Sequence, residues 1–355
     1  MKRIITSILI FLIVILFPYS TAQAVGELQL NCKNAILYDR KYKRILFEKD
    51  AYTKVPNAST TKILTAIVVS ENCNINEIAE VSQNAVNVMG SKVKFRKGDK
   101  ISVNDLLNGM LLCSGNDAAI VLAEHISGSV ESFCELMNKK AKVIGANNTN
   151  FLSPHGLDVE NHYTTAYDLA IIADYALRNS YLANIFSKKV ETIYINGNPR
   201  NIYTTNEMLS VYNGADGVKT GFTNDAGRCL VTSATNDSGR QLISVVLGCD
   251  TKNFRTQDSV KLLDYGFKEY EVVNVGKILP EKILIEVKKS KEKIYKLEIN
   301  YLYEYPLTVK EKEKLYYIQS EMPEFIAPLD ENTKILKYEI YTRKWKNNRN
   351  YYKFV

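Results

Sequence analysis

Strand-like segments flank a long helical middle in this chain, and that order constrains the fold more than any other feature. Ala35-Ile-Leu-Tyr-Asp39 and Arg44-Ile-Leu-Phe-Glu48 read as two strands joined by a short polar turn. Cys229-Leu-Val-Thr-Ser-Ala234 and Leu242-Ile-Ser-Val-Val-Leu247 read as a second pair around Asn236-Asp-Ser-Gly239. Between the pairs, residues 59–70, 106–112 and 117–125 read as helices. Ser102-Val-Asn-Asp105 has the form of a helix-starting capping box, with Asp in place of the usual Glu. The order predicts a sheet whose first and last strands come from distant sequence, with helices packed against it. That is an α+β fold.

The N-terminus combines a basic start (Lys2-Arg3), an apolar run from Ile4 to Phe17 and the small-residue end Ala22-Gln-Ala24. These are the parts of an export signal, so residues 1–24 are expected to be a leader and the chain to act outside the cytoplasm. The run of about 14 residues is short of the roughly 20 needed to span a bilayer. Composition changes near residue 270. Residues 25–270 carry all six cysteines, all three histidines and all but one of the 17 glycines, whereas 271–355 hold ten of the 23 tyrosines. Two domains are therefore expected, 25–270 and 271–355. The second alternates apolar and polar residues, as in Lys282-Ile-Leu-Ile-Glu-Val287, and reads as β-rich. The six cysteines show no Cys-x-x-Cys spacing and are read as mostly free, buried thiols. The histidines, His125, His155 and His162, have no local cysteine or paired carboxylate, so neither a metal nor a cofactor is expected. The net charge of +7 is mild for the length, and basic residues are not clustered in 25–270 as in a nucleic-acid binder.

Three short motifs carry the chemistry. Ser59-Thr-Thr-Lys62 opens an apolar helix, and residues three apart share a face, so hydroxyl and amine meet. A serine hydroxyl is a weak nucleophile until a base takes its proton. Lysine serves as that base when burial and nearby positive charge lower its pKa. Ser114-Gly-Asn116 follows the apolar Met110-Leu-Leu-Cys113 and offers a hydroxyl and an amide from one turn. The bland reading makes Ser114 the N-cap of the helix over 117–125. Lys219-Thr-Gly221 offers a charge, a hydroxyl and a glycine that lets a substrate backbone approach; its bland reading is a strand edge.

In this order the three motifs are those of penicillin-binding proteins and class A β-lactamases. The chain resembles the D-alanyl-D-alanine carboxypeptidases, low-molecular-mass penicillin-binding proteins of peptidase family S11. Asn57-Ala-Ser-Thr-Thr-Lys-Ile-Leu-Thr-Ala66, Ser114-Gly-Asn-Asp-Ala-Ala119, His162-Tyr-Thr-Thr-Ala-Tyr-Asp-Leu-Ala170 and Leu263-Asp-Tyr-Gly-Phe267 add to the likeness. It covers 30–270, and 271–355 is similar to the family's C-terminal β domain. The resemblance implies an antiparallel sheet flanked by helices, a helical subdomain and a small β sandwich. It implies catalytic Ser59, Lys62, Ser114 and Asn116, with Lys219, Thr220, Gly221 and Phe222 binding substrate. The substrate would be a peptidoglycan stem peptide ending in D-Ala-D-Ala, with β-lactams as covalent inhibitors. Thr205 stands where some members have a carboxylate-binding arginine; Arg200 is out of register, and Arg228 is read as a strand-edge charge.

A class A β-lactamase fits less well, because position 150, where its water-activating glutamate is expected, is Asn150. A Ser153–His155–Asp168 triad lacks any Gly-x-Ser-x-Gly elbow. A silent wall-binding scaffold of the same fold is disfavoured by three intact motifs. His155 and His162 are read as structural. The basic, aromatic tail 341–355 reads as a last β strand, with contact to anionic wall polymer or lipid headgroups as the alternative. No anchoring helix is expected beyond it.

Overall fold

The computed structural model describes residues 28–289, 291–298, 302–319, 325–326, 338–343 and 351–354. The expected leader, residues 1–24, lies outside them. Leu28–Leu30 belong to a separate unit, and Asn31–Val355 form the other.

The chain enters through two strands, β1 (Asn34–Asp39) and β2 (Arg44–Lys49). A 3-10 turn, Ala58–Thr61, leads into α1 (Lys62–Asn72). Then follow β3 (Ile78–Glu80), α2 (Gln83–Asn87), β4 (Lys100–Ser102) and α3 (Val103–Leu111). Helices α4 (Asn116–Ser127), α5 (Val130–Ile144), α6 (Ala166–Ala176) and α7 (Ser180–Ser187) come next. A hairpin of β5 (Val190–Ile195) and β6 (Asn198–Tyr203) precedes the short α8 (Met208–Val211). Strands β7 (Ala215–Thr223), β8 (Gly227–Thr235) and β9 (Gln241–Cys249) return to the sheet, and α9 (Lys252–Glu269) closes this part.

The main sheet is antiparallel with order β2-β1-β9-β8-β7, so strands from the two ends of the sequence lie side by side as expected. The register sets Asn34 opposite Leu247 and Lys219 opposite Val231. Every residue of β1 is buried, which marks a strand covered on both faces. Helix α6 packs against β1 and β9, and α9 against β8 and β9. Gly266 brings α9 close, since a Cβ there would lie 2.6 Å from both Leu37 Cδ2 and Leu242 Cδ1. Helix α1 is buried all round from Lys62 to Val69, which is why its sequence shows no polar face. Ser102 caps α3 by accepting the Asp105 amide at 3.0 Å, as the capping-box pattern predicts. Among the described residues no helix is long and apolar enough to cross a membrane.

Beyond Tyr270 the chain forms β10 (Glu271–Asn274), β11 (Lys282–Lys288), β12 (Ile294–Glu298), β13 (Glu304–Leu307), α10 (Val309–Lys312), β14 (Tyr316–Gln319), β15 (Phe325–Ile326), β16 (Tyr338–Arg343) and β17 (Tyr351–Phe354). They make small sheets of order β10-β13, β12-β11-β15 and β14-β16-β17. Strand β17 pairs antiparallel with β16; residues 344–350 and 355 of the basic tail lie outside the described residues. Arg44, at the start of β2, donates to Pro306 O and to Glu311, and its guanidinium lies 5.0 Å from the ring centroids of both Tyr270 and Tyr305. The six cysteines are free thiols, four buried and two half-buried.

Candidate active site

The 3-10 turn before α1 is shaped by Asn57 and by a neighbouring loop. Asn57 Nδ2 donates to Thr60 Oγ1 and Thr61 Oγ1, both at 3.0 Å, and Thr60 Oγ1 donates to Asn57 O at 2.7 Å. Gly156 presses on the turn from outside, where a Cβ would stand 2.0 Å from Ala58 O. Ser59 and Lys62 then share one face. Lys62 is fully buried, and its Nζ lies 2.8 Å from Ser59 Oγ, 2.7 Å from Asn116 Oδ1 and 2.9 Å from His155 O. Burial, and next the positive charge of Lys219, hold the Lys62 amine well below its ordinary pKa; Asp117 and Cys113 pull weakly the other way. A neutral amine has two N–H donors and one lone pair. Asn116 Oδ1 and His155 O are acceptors for the donors, which turns the lone pair to the Ser59 hydroxyl.

The second wall is the turn between α3 and α4. Asn116 Nδ2 donates to Met89 O at 2.7 Å, which fixes the amide with Oδ1 towards Lys62. Asp117 braces the turn by accepting the Val93 amide at 2.9 Å and the Lys94 amide at 2.8 Å. Gly115 is the N-cap of α4, and no side chain caps that helix. The bland reading of Ser114 as N-cap is therefore corrected. Its backbone is left-handed (φ 61) and its side chain is buried at the turn, one residue too early to reach the free amides. Among the described residues, the Ser114 hydroxyl makes no hydrogen bond to Lys62 or Lys219 in this state. The Cys113 thiol beside it donates to Gly109 O, and burial raises its pKa.

Edge strand β7 supplies the third wall. Lys219 is buried, and its Nζ donates to Thr220 O at 3.0 Å. Burial lowers its pKa to about 7. The Thr220 and Thr205 hydroxyls are 2.8 Å apart, and the Thr205 amide donates to Leu112 O, tying this loop to the Ser114 turn. A Cβ on Gly221 would lie 3.1 Å from Ala58 Cβ, Asn57 O and Ser59 N, so glycine is what lets β7 approach the serine backbone. Phe222 is half-exposed, and the Arg228 guanidinium sits 3.6 Å from its ring centroid. Arg200 donates to Val93 O instead of reaching Thr205.

The remaining sequence candidates are engaged separately. His162 bonds Thr61 Oγ1 through Nε2 and accepts the Leu152 amide on Nδ1, each at 3.0 Å. His155 Nδ1 accepts the Leu157 amide. Burial lowers the pKa of His155 to about 3 and of His162 to about 4, so both are neutral at ordinary pH. Ser153 Oγ accepts the Gly156 amide, and Asp168 accepts from Asn148 and Thr149; the two are not linked through His155 as a triad needs. Sequence reasoning missed the His155 carbonyl, the Asp117 brace and the Gly156 contact. The His155 carbonyl is a backbone atom, and the Asp117 carboxylate is met by the backbone amides of Val93 and Lys94, so neither contact leaves a residue signature at its partner.

The S11 peptidase family profile, described as D-alanyl-D-alanine carboxypeptidase, matches residues 21–251. The D-alanyl-D-alanine carboxypeptidase DacF of Bacillus subtilis is 34% identical over 308 residues, covering 84% of this chain and 79% of its own. Penicillin-binding protein 5 of Haemophilus influenzae superimposes with a TM-score of 0.74 at 30% identity, covering 93% of this chain and 97% of its own. The DD-transpeptidase of Streptomyces K15 superimposes with a TM-score of 0.66 at 32% identity, covering 68% of this chain and 99% of its own.

Proposed function

Because the chain belongs to peptidase family S11, the D-alanyl-D-alanine carboxypeptidases, we propose that it removes the terminal D-alanine from peptidoglycan stem peptides through an acyl-enzyme on Ser59. The observation that carries this reading is the buried Lys62 amine, its pKa held well below the ordinary lysine value and its Nζ 2.8 Å from the Ser59 hydroxyl. Lys62 takes the Ser59 proton as Oγ attacks the carbonyl of the D-Ala–D-Ala bond. The Ser59 and Phe222 amides receive the oxyanion, a role supported by the close approach of Gly221 to Ser59 N. One such donor is worth roughly 3 kcal/mol. Asn116 holds the substrate amide. The departing D-alanine amine takes its proton through Ser114 and Lys219, and water then releases the shortened peptide. Thr220 and Lys219 hold the terminal carboxylate, with the Thr205 hydroxyl beside them in place of an arginine.

A β-lactam presents a ring-strained amide in place of the D-Ala–D-Ala bond and acylates the same oxygen. Incubation with penicillin, digestion and mass mapping should find the adduct on the peptide containing Ser59. An adduct elsewhere, or none on folded protein, sinks the assignment. With Asn150 where a β-lactamase would carry its glutamate, that adduct should persist. The basic start, short apolar run and Ala22-Gln-Ala24 favour action outside the cytoplasm; N-terminal sequencing of exported protein tests this.

The two lysines set the pH profile. Only neutral Lys62 accepts the proton, so kcat/KM rises with pH through the Lys62 pKa. Lys219 holds the carboxylate only while charged, so the profile falls as pH passes about 7. Lys219→Gln should erase the alkaline limb. It should also move the acid limb to higher pH, because the charge that depresses Lys62 is gone. A profile whose limbs stay put in Lys219→Gln contradicts this coupling. The histidines, already neutral, do not contribute above about pH 5.

A further inference from the structure

Far from the cleft, three side chains of different segments converge. Cys73 is the C-cap of α1, Glu77 lies in the loop before β3, and His125 is in the last turn of α4. Their ligand atoms all lie within 4.8 Å of one another. We propose that Cys73, Glu77 and His125 bind a borderline divalent metal ion of the zinc class.

Thiolate, carboxylate and imidazole are the donors zinc takes, and tetrahedral sites bring such atoms to about 3.5 Å from each other. The loop already aims Glu77. One of its oxygens accepts the Asn74 amide at 3.0 Å, the Glu77 amide donates to Asn74 O at 3.0 Å, and the Val103 amide donates to Glu77 O at 2.9 Å. The other carboxylate oxygen faces His125 Nε2 at 3.1 Å. The backbone amide of Asn74, then His125 and Cys73, keep this carboxylate ionised. Cys73 is half-buried beside that charge; burial first and Glu77 second push its thiol up to about 11. Cys73–SH loses its proton to solvent, an S–metal bond forms, and thiolate plus carboxylate balance the two positive charges. His125 contributes the Nε2 lone pair and keeps its proton on Nδ1. Water completes the fourth position, because Glu77 and His125 are open to solvent.

Among the described residues the other cluster of this kind, Cys32, Cys249 and Asp258, is buried throughout, and both Asp258 oxygens are already used by Asn31 Nδ2 and the Cys32 amide. The exposed trio differs in being open to solvent, and the Glu77 oxygen that faces His125 Nε2 is engaged by a member of the trio itself. Its position gives the ion a structural role. Lys62 opens α1 and Asn116 opens α4, and these two are bonded at 2.7 Å. A metal at Cys73 and His125 pins the opposite ends of the same two helices, about 14–17 Å along their axes.

The test uses the full chain. Co²⁺ titration should give a thiolate-to-metal charge-transfer band at one equivalent, absent in Cys73→Ser. Zn²⁺ affinity, measured by competition with a chromophoric chelator, should fall at least about 100-fold in Cys73→Ser and in His125→Gln. Zn²⁺ at about 100 times its Kd should raise the wild-type Tm by roughly 4 °C and leave Cys73→Ser unmoved. A charge-transfer band that survives in Cys73→Ser, or no band with unchanged Tm, overturns the proposal. Penicillin labelling of Ser59 reports separately on the cleft, so failure of this site and failure of the catalytic reading are distinguishable.

Discussion

Lys62→Met should slow acylation of Ser59, by penicillin and by a D-Ala-D-Ala peptide alike, by roughly 10³–10⁴-fold. The methionine fills the same buried space, but it has no lone pair basic enough to take the serine proton. Its effect on stability is smaller and has two signs. Asn116 Oδ1 and His155 O each lose a donor in a buried place, and each orphaned acceptor costs about 1–3 kcal/mol. Against that, no amine has to be stripped of water. A modest drop in Tm with a folded spectrum is the expected outcome, read beside stopped-flow or fluorescent-penicillin rates. Lys62→Arg separates basicity from charge. Arginine keeps the positive charge and the donors but does not deprotonate, so it should be as slow as methionine. Substantial activity in Lys62→Arg would mean the amine acts as a cation and not as a base.

Gly156→Ala should produce the largest loss of stability of any single-methyl change near the cleft, about 3 kcal/mol or more. The residue sits at φ +83, and its Cβ would land 2.0 Å from Ala58 O and 2.6 Å from both Ala58 C and Thr61 Oγ1. Two backbone segments cannot both stay where they are. The one that gives is the 3-10 turn carrying Ser59, so acylation should fall together with the denaturation midpoint. Gly98→Ala is the control. Gly98 has the same φ, +83, with nothing within 4 Å of the added carbon, so only the conformational term remains, about 1 kcal/mol. Equal midpoints for the two variants would refute the clash argument.

The main sheet was legible because its strands are short apolar runs bounded by turn residues. The runs at 35–39, 44–48, 229–234 and 242–247 lie inside β1, β2, β8 and β9. Helix α9 was not. The face it buries carries Arg255, Asp258 and Ser259 beside Leu262, Leu263 and Gly266, so no apolar stripe repeats at helical spacing. The start of α1 was also blurred, since the segment from Ser59 reads as one helix whereas Ala58–Thr61 is a tighter 3-10 turn. In the cleft, the meeting of Ser59 with Lys62 follows from helical spacing, and local reasoning suffices. The bond from Lys62 to Asn116 depends on how α1 packs on α4, which no local pattern encodes; only the resemblance joined those motifs. The metal candidate escaped for the same reason, because Cys73 and His125 are neighbours only after the two helices pack.

Arg44 has a consequence for how the chain can be divided. Its side chain is 2% exposed, and the partners that share its charge, Pro306 O and Glu311, come from beyond Tyr270. Trimming the protein at the composition change would not merely shorten it. It would leave a guanidinium beside the Tyr270 ring without its carbonyl and carboxylate. A minimal version of the peptidase unit therefore needs a second edit, at the first residue of β2, to keep that end of the sheet as stable as in the whole chain.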